Sequence, residues 1–311
     1  MKIAIIGPGA MGCLFAAFLS RKNEVILFDK DPRRAKAIDQ QGIKIEGISG
    51  KWSVKLPATN EPKQLGDTEL FIICVKSYDT KKAVSAIEKI ITETSMVLTV
   101  QNGVGNIEII GELIGHDKVI GGVTNHGATL LGDGHIRHAG KGETIVGRID
   151  GKIPTQMRGI REILNKARLE TRISRDIKGL LWSKLIINVG INALTALTRL
   201  HNGRLVEFDG TRNILGKAVA EAVRVAKRKR IKLIYDDPLA KVEAVCEATA
   251  GNIASMLQDI LKKKKTEINF INGVIIREGQ SLGIPTPVNT LLVELVKTLE
   301  ESYALQVEKQ L

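Results

Sequence analysis

The stretch Lys2-Ile3-Ala4-Ile5-Ile6-Gly7-Pro8-Gly9-Ala10-Met11-Gly12-Cys13-Leu14-Phe15-Ala16-Ala17-Phe18-Leu19 runs from an apolar segment through a glycine-rich turn into a helical pattern. Ile3–Ile6 is continuously apolar, as a strand buried on both faces requires. Gly7, Gly9 and Gly12 stand at GxGxxG spacing, with Pro8, Ala10 and Met11 between them. Between a strand and a helix, the first glycine permits a tight turn and the second lets a pyrophosphate approach the backbone. The third allows close helix–strand packing. The helix start offers unpaired N–H groups and a partial positive charge to the phosphates. Gly7, Pro8, Gly9, Ala10, Met11 and Gly12 are therefore candidate dinucleotide-binding residues.

Outward from this turn the pattern repeats. Glu24–Asp29, Leu70–Val75, Met96–Val100, Val119–Val123 and Thr144–Gly147 are short Val/Ile-rich runs. Segments such as Met11–Lys22 and Thr80–Thr92 between them carry apolar residues at helical spacing. This alternation predicts a Rossmann-type, doubly wound α/β domain over residues 1–173. Beyond Ile173 the strand signal ends. Arg175–Leu197, Thr211–Lys229, Leu239–Lys262, Asn269–Leu282 and Pro287–Glu300 read as helices, so an all-α domain is expected over 174–311. The second strand ends at Asp29, whose carboxylate can accept from ribose hydroxyls and favours NAD(H). Lys30, Arg33 and Arg34 follow and could instead hold a 2′-phosphate, so NAD(H) and NADP(H) both stay open.

Composition narrows the function classes. There are 46 Lys plus Arg against 34 Asp plus Glu, a formal net charge of +12, which raises nucleic acid, membranes or anionic metabolites as partners. Aromatic residues make up only 4%, and no helix-turn-helix, zinc or base-stacking motif appears, which argues against nucleic acid. Cys13, Cys74 and Cys246 are scattered and form no CxxC, so no disulfide framework or metal site is expected. The histidines, His126, His135 and His138 among them, lack metal-ligand spacing. The apolar stretch Leu180–Leu200 is interrupted by Lys184, Asn188, Asn192 and Arg199, a poor membrane span. A cytoplasmic protein without membrane attachment is the expectation. Arg224–Lys232 and Lys262–Lys265, which hold much of the excess charge, read as solvated helix surface.

The sharpest signal is Leu180-Leu181-Trp182-Ser183-Lys184-Leu185-Ile186-Ile187-Asn188-Val189-Gly190-Ile191-Asn192. Lys184, Asn188 and Asn192 fall at i, i+4 and i+8, one face of a helix that is otherwise apolar. Buried ammonium and amide groups need partners, which a polar ligand or a polar seam between domains would supply. Burial also lowers a lysine pKa towards usefulness as an acid. Asn252, Ser255 and Asp259 share a second expected helix face. Thr266 could cap the next helix, placing the Glu267 carboxylate at its start. Lys76 and Asn102 follow strand ends, where ligands of open α/β sheets bind.

Together these strings resemble the ketopantoate reductase family, the 2-dehydropantoate 2-reductases. The resemblance rests on the Gly7–Gly12 turn, Gln101-Asn102-Gly103-Val104-Gly105, Leu181–Asn192, Asn202-Gly203, Asn252–Ile260 and Thr266-Glu267-Ile268-Asn269-Phe270-Ile271-Asn272-Gly273, in order over nearly the whole chain. It implies NAD(P)H-dependent reduction of 2-dehydropantoate to (R)-pantoate, in pantothenate and coenzyme A biosynthesis. By the same resemblance Lys184 is the general acid and Glu267 a second catalytic ionisable group. Lys76 and Asn102 line the cofactor site. Asn102, Asn188, Asn192, Asn202, Asn252 and Ser255 contact the 2-keto acid. The family implies NADP(H), with Lys30 at the basic position, while the neighbouring Asp29 departs from its pattern. A helical second domain is also a common homodimer interface. Rival readings are another 2-keto-acid or 3-hydroxyacid dehydrogenase of this architecture, and a non-catalytic dinucleotide-binding regulator. Against the regulator, a sensor needs no proton donor facing its ligand.

Overall fold

A computed structural model describes residues 1–306; residues 307–311, the end of the expected second domain, lie outside the described residues. The chain divides into two compact units. The first comprises Met1–Gln101 and Gly105–Ile177; the second comprises Asn102–Val104 and the chain from Lys178 onward.

The first unit is built on an eight-stranded sheet. Its strands are β1 (Lys2–Ile6), β2 (Glu24–Phe28), β5 (Ala58–Thr59), β6 (Leu70–Ile73), β7 (Met96–Thr99), β8 (Val119–Thr124), β11 (Thr144–Gly147) and β12 (Thr171–Ile173). Helices α1 (Ala10–Leu19), α2 (Pro32–Gln41), α3 (Thr80–Ile87), α4 (Asn106–Ile114) and α5 (Thr155–Lys166) accompany it. The strand order is β12-β11-β8-β7-β6-β1-β2-β5. All six apolar runs read from the sequence are strands of this sheet. Their side chains are buried almost throughout because helices cover both faces of a parallel sheet. The sheet is not wholly parallel, however. β11 runs antiparallel to β8, with Ile145 opposite Val123. The chain reaches β11 through a hairpin rather than a crossover helix, so it returns in the opposite sense.

That hairpin belongs to a second sheet absent from the sequence reading. β3 (Ile43–Gly47), β4 (Trp52–Val54), β9 (Gly127–Gly132) and β10 (His135–Gly140) form it in the order β4-β3-β10-β9. These strands are short, half-exposed and glycine-bearing, so they lack the continuous apolar run that marks the first sheet. Their buried residues alternate instead, Ile43 with Ile45 and Ile136 with His138. The small sheet packs on α1, with Trp52 edge-on to Phe18 at 5.6 Å. Gly12–Leu19 is therefore buried along the whole helix rather than on one stripe. His126 and His138 form a buried pair, His126 Nδ1 lying 3.2 Å from His138 Nε2. Burial lowers both imidazole pKa values, that of His126 to about 4.

The second unit centres on α6 (Ile177–Thr198), around which α7 (Asp209–Arg228), α8 (Pro238–Ala248), α9 (Ser255–Leu261), α10 (Asn272–Ser281) and α11 (Pro287–Glu301) pack. α6 is long and apolar enough to cross a membrane, but 72% of that apolar window is buried within the fold; it is a core helix. Gly190 lets neighbours approach it, since a Cβ there would sit 2.8 Å from Val242 and 3.0 Å from Val219. Two helix expectations need correction. Leu239–Lys262 is not continuous: it breaks between Ala248 and Ser255. There the Ala250 and Asn252 carbonyls accept from Gly203 and Asn202 N–H instead of continuing a helical ladder. The helix expected from Asn269 starts at Asn272, because Glu267–Ile271 is occupied by a single tight turn.

Candidate active site

In the large sheet, β1 pairs with β2 on one side and β6 on the other, so the chain changes direction across β1. At such a switch point the carboxyl ends of neighbouring strands leave a crevice for ligands. Gly7 follows β1 there at φ +94°, a conformation open to glycine, and its N–H donates to the Phe28 carbonyl at 3.0 Å. A Cβ on Gly12 would lie 2.1 Å from the Gly7 carbonyl oxygen. These two glycines serve the turn itself. Gly9 differs: a Cβ there would meet no protein atom within 4 Å, so packing does not require the missing side chain. It leaves the first turn of α1 open to an approaching group, and among the described residues no side chain caps that helix. The turn thus fits a pyrophosphate by shape and by charge. Pro8 is buried and its carbonyl accepts from Cys13 Sγ at 3.3 Å, while Ala10 and Met11 open α1.

Asp29 is buried at the end of β2, where it receives the Arg34 guanidinium Nε–H and, at 2.9 Å, the Asp31 N–H. Its negative charge is thereby offset within the protein, and the same bond raises the Arg34 pKa. Lys30 is exposed and pairs with Asp79 at 3.0 Å. Lys76 is half-buried, three residues past the end of β6, which stops at Ile73 rather than Val75, and it precedes a short turn at Ser77–Asp79.

A buried polar network that the sequence reading did not assign holds this loop. Gln101 Nε2 donates to the Val75 carbonyl and to Thr80 Oγ1, both at 2.8 Å. Thr80 donates to Asn106 Oδ1 at 2.8 Å, and Asn106 donates to Ser77 Oγ at 3.1 Å. The ends of β6 and β7 are tied together on either side of Lys76. The legible signal was Gln101 itself, an amide directly after a buried strand, which must find partners.

In the second unit, α6 carries Lys184, Asn188 and Asn192 on one face, among buried Trp182, Leu185, Ile186 and Val189. Burial lowers the Lys184 pKa to about 8, against the opposing pull of the Glu267 carboxylate. Glu267 is 7% exposed; Thr266 next to it accepts the Ile268 N–H at 3.2 Å and is itself held by Glu300 at 2.8 Å. Thr266 therefore starts a turn as expected, although that turn is too short to be an α-helix. Asn102–Val104 joins the same segment: Val104 N–H donates to the Phe270 carbonyl at 3.3 Å, and a Cβ on Gly103 would lie 2.4 Å from that oxygen. The structure thus brings Lys184 into electrostatic contact with Glu267 and sets the Asn102 strip against the turn after Glu267.

Other expected residues are placed differently. Ser255 begins α9 and is half-buried, whereas Asn252 precedes the helix with an exposed side chain, so the two do not share a helix face. Asn202 is buried and donates to Thr249 Oγ1 at 2.9 Å and, through its backbone, to the Asn252 carbonyl at 3.1 Å. Its amide nitrogen therefore fastens the loop between α8 and α9.

Residues 3–151 match the family described as ketopantoate reductase PanE/ApbA, and residues 176–300 match ketopantoate reductase PanE/ApbA C terminal. The 2-dehydropantoate 2-reductase of Pyrococcus abyssi is 36% identical over 302 residues, covering 96% of this chain and 98% of that protein. A PanE/ApbA family ketopantoate reductase from Ralstonia eutropha JMP134 has a similar crystal structure. Its TM-score is 0.90 at 34% identity, over 97% of this chain and 99% of that one. D-mandelate dehydrogenase with NADH and anilino(oxo)acetate superposes with TM-score 0.89 at 28% identity, over 97% and 99%.

A nucleotide-type sheet in one unit and a lysine-bearing helical unit in the other, with these relatives, define an oxidoreductase acting on CH–OH groups. Within that class, the chain belongs to the ketopantoate reductase family.

Proposed function

We propose that the chain reduces 2-dehydropantoate to (R)-pantoate with NADPH, in the cytoplasm, with Lys184 as the general acid. The observation that carries this reading is Lys184 on the polar stripe of the otherwise apolar α6, opposite Glu267, its pKa lowered to about 8 by burial. At neutral pH such a lysine is still protonated, yet it is a far stronger acid than one in water. A dinucleotide held at the Gly7–Gly12 turn would supply hydride to the ketone carbon. As negative charge grows on the ketone oxygen, the Lys184 ammonium stabilises it and delivers a proton to it. Glu267 accepts a hydrogen bond from a substrate hydroxyl, and Asn188, Asn192, Ser255 and Asn102 hold the remaining polar groups. Lys76 faces the cofactor. NADPH is the coenzyme of this reading because Arg34 offsets the Asp29 charge and its guanidinium suits a 2′-phosphate.

The deciding assay is turnover of 2-dehydropantoate with NADPH and NADH in parallel. Lys184→Ala should cut kcat by roughly 10²–10⁴-fold while NADPH affinity, read by fluorescence, is retained; unchanged turnover refutes the assignment. A second reading, reduction of an aromatic 2-keto acid with NADH, is favoured by the likeness to D-mandelate dehydrogenase. The same assay run with benzoylformate separates the two.

A further inference from the structure

Four helices of the second unit converge on a buried chain of amides. Asn272, the first residue of α10, donates from Nδ2 to the Val189 carbonyl of α6 at 3.2 Å and to Asn289 Oδ1 at 3.0 Å. Both acceptors are oxygens, which fixes the orientation of the Asn272 amide. Asn289, near the start of α11, donates to the Ala218 carbonyl of α7 at 3.1 Å and to Glu221 Oε2 at 2.7 Å. Glu221 also accepts the Val288 and Asn289 N–H groups at 2.9 and 3.0 Å, capping α11. Asn272 and Asn289 are fully buried and Glu221 nearly so.

Apolar side chains of the same shape would hold these helices together as well or better. What they would not do is fix α6 in register against the segment leading into α10. That segment carries Glu267, and it reaches Asn272 through the single turn Ile268–Phe270. The carbonyl that Asn272 grips lies one residue beyond Asn188 and little more than a helical turn beyond Lys184.

We propose that Asn272 is a positioning residue for the reduction, its bond to Val189 setting the separation between Lys184 on α6 and Glu267 before α10. This rests on the reading of Lys184 as proton donor. Among the neighbouring carboxylates, Glu300 of α11 is bound to the Thr266 N–H, Glu221 of α7 is bound to Asn289, and Asp259 of α9 acts on Tyr303. Glu267 is the carboxylate whose charge acts on Lys184. Slack in the Asn272 bond would weaken that action.

The test is the pH dependence of kcat for the full chain, Asn272→Ala, Glu267→Gln and the double variant, with 2-dehydropantoate and NADPH. Asn272→Ala should move the alkaline limb about half a unit lower, a roughly twofold loss of turnover at the wild-type midpoint. KM for NADPH should not change. In the Glu267→Gln background the same substitution should move the limb no further, since both act through one carboxylate. A limb that stays in place, or that moves equally in both backgrounds, overturns the proposal. A limb that persists in Lys184→Ala overturns the proton-donor reading and the proposal with it. If thermal unfolding shows Asn272→Ala unfolded, Asn272→Ser, too short to reach Val189, provides the same comparison.

Discussion

A lysine ammonium in water gives up its proton near pH 10.5, and on the polar stripe of the otherwise apolar α6 Lys184 does so at about 8. Burial disfavours the charged form and lowers the value; the Glu267 carboxylate favours the charged form and raises it. A general acid works only while protonated. Turnover should be flat at neutral pH and fall as pH rises through about 8. Glu267→Gln removes the charge that holds the proton, so its alkaline limb should lie below that of the wild type. A kcat profile from pH 6 to 10 checks both statements, and a limb moving upward in Glu267→Gln would contradict the electrostatic account. At this scale the sequence was informative: the i, i+4, i+8 polar stripe could be read because its sequence neighbours are apolar, and in the fold Asn192 is buried while Lys184 and Asn188 are half-buried. Asn202 and Asn252 were less legible. Their use depends on a loop whose backbone carbonyls bind across a long sequence separation, and no local pattern encodes that.

Strand ends are fixed by what ties them to their neighbours, and for β6 and β7 the tie is Gln101. Its amide spans the Val75 carbonyl and Thr80, so the loop bearing Lys76 is also held from the next strand. Gln101→Leu keeps the volume and removes the bonds. The variant should raise KM for NADPH by roughly tenfold, the equivalent of one lost net hydrogen bond, with a smaller change in kcat. Steady-state kinetics with each substrate varied would show this, and an unchanged KM would mean the loop holds without the amide. Six strands of the large sheet were legible because strands buried on both faces must be continuously apolar; β5 and β12, two and three residues long, are too short to show such a run. The small sheet was not, because strands covered on one side only and rich in glycine look like turns. The break between α8 and α9 was marked by Gly251-Asn252, but a continuous helical period on both sides masked it.

The two units of the molecule differ in what acid does to them. In the first, His126 and His138 are buried against each other with pKa values lowered by burial, His126 to about 4. An unfolded histidine takes a proton near 6.5, so between about 4 and 6.5 the unfolded chain binds protons that the folded unit refuses. Stability therefore falls as pH drops through that window, on the order of 2 kcal/mol after allowance for solvent relaxation. Calorimetry at pH 7 and 4.5 should show a lower melting temperature at the acid pH, and His138→Gln should flatten the difference. Equal acid sensitivity in that variant would place the effect elsewhere. Asn102–Val104 is encoded in the midst of the nucleotide unit but belongs to the helical one, pinned where Gly103 meets Phe270. No single crossover between two genes can therefore exchange the halves cleanly. A chimera that takes residues 1–177 from a relative also imports a foreign strip into its own helical half. Restoring the Asn102–Val104 of this chain should raise the melting temperature of such a hybrid. Recombination in this fold is then constrained by three residues far from the apparent junction.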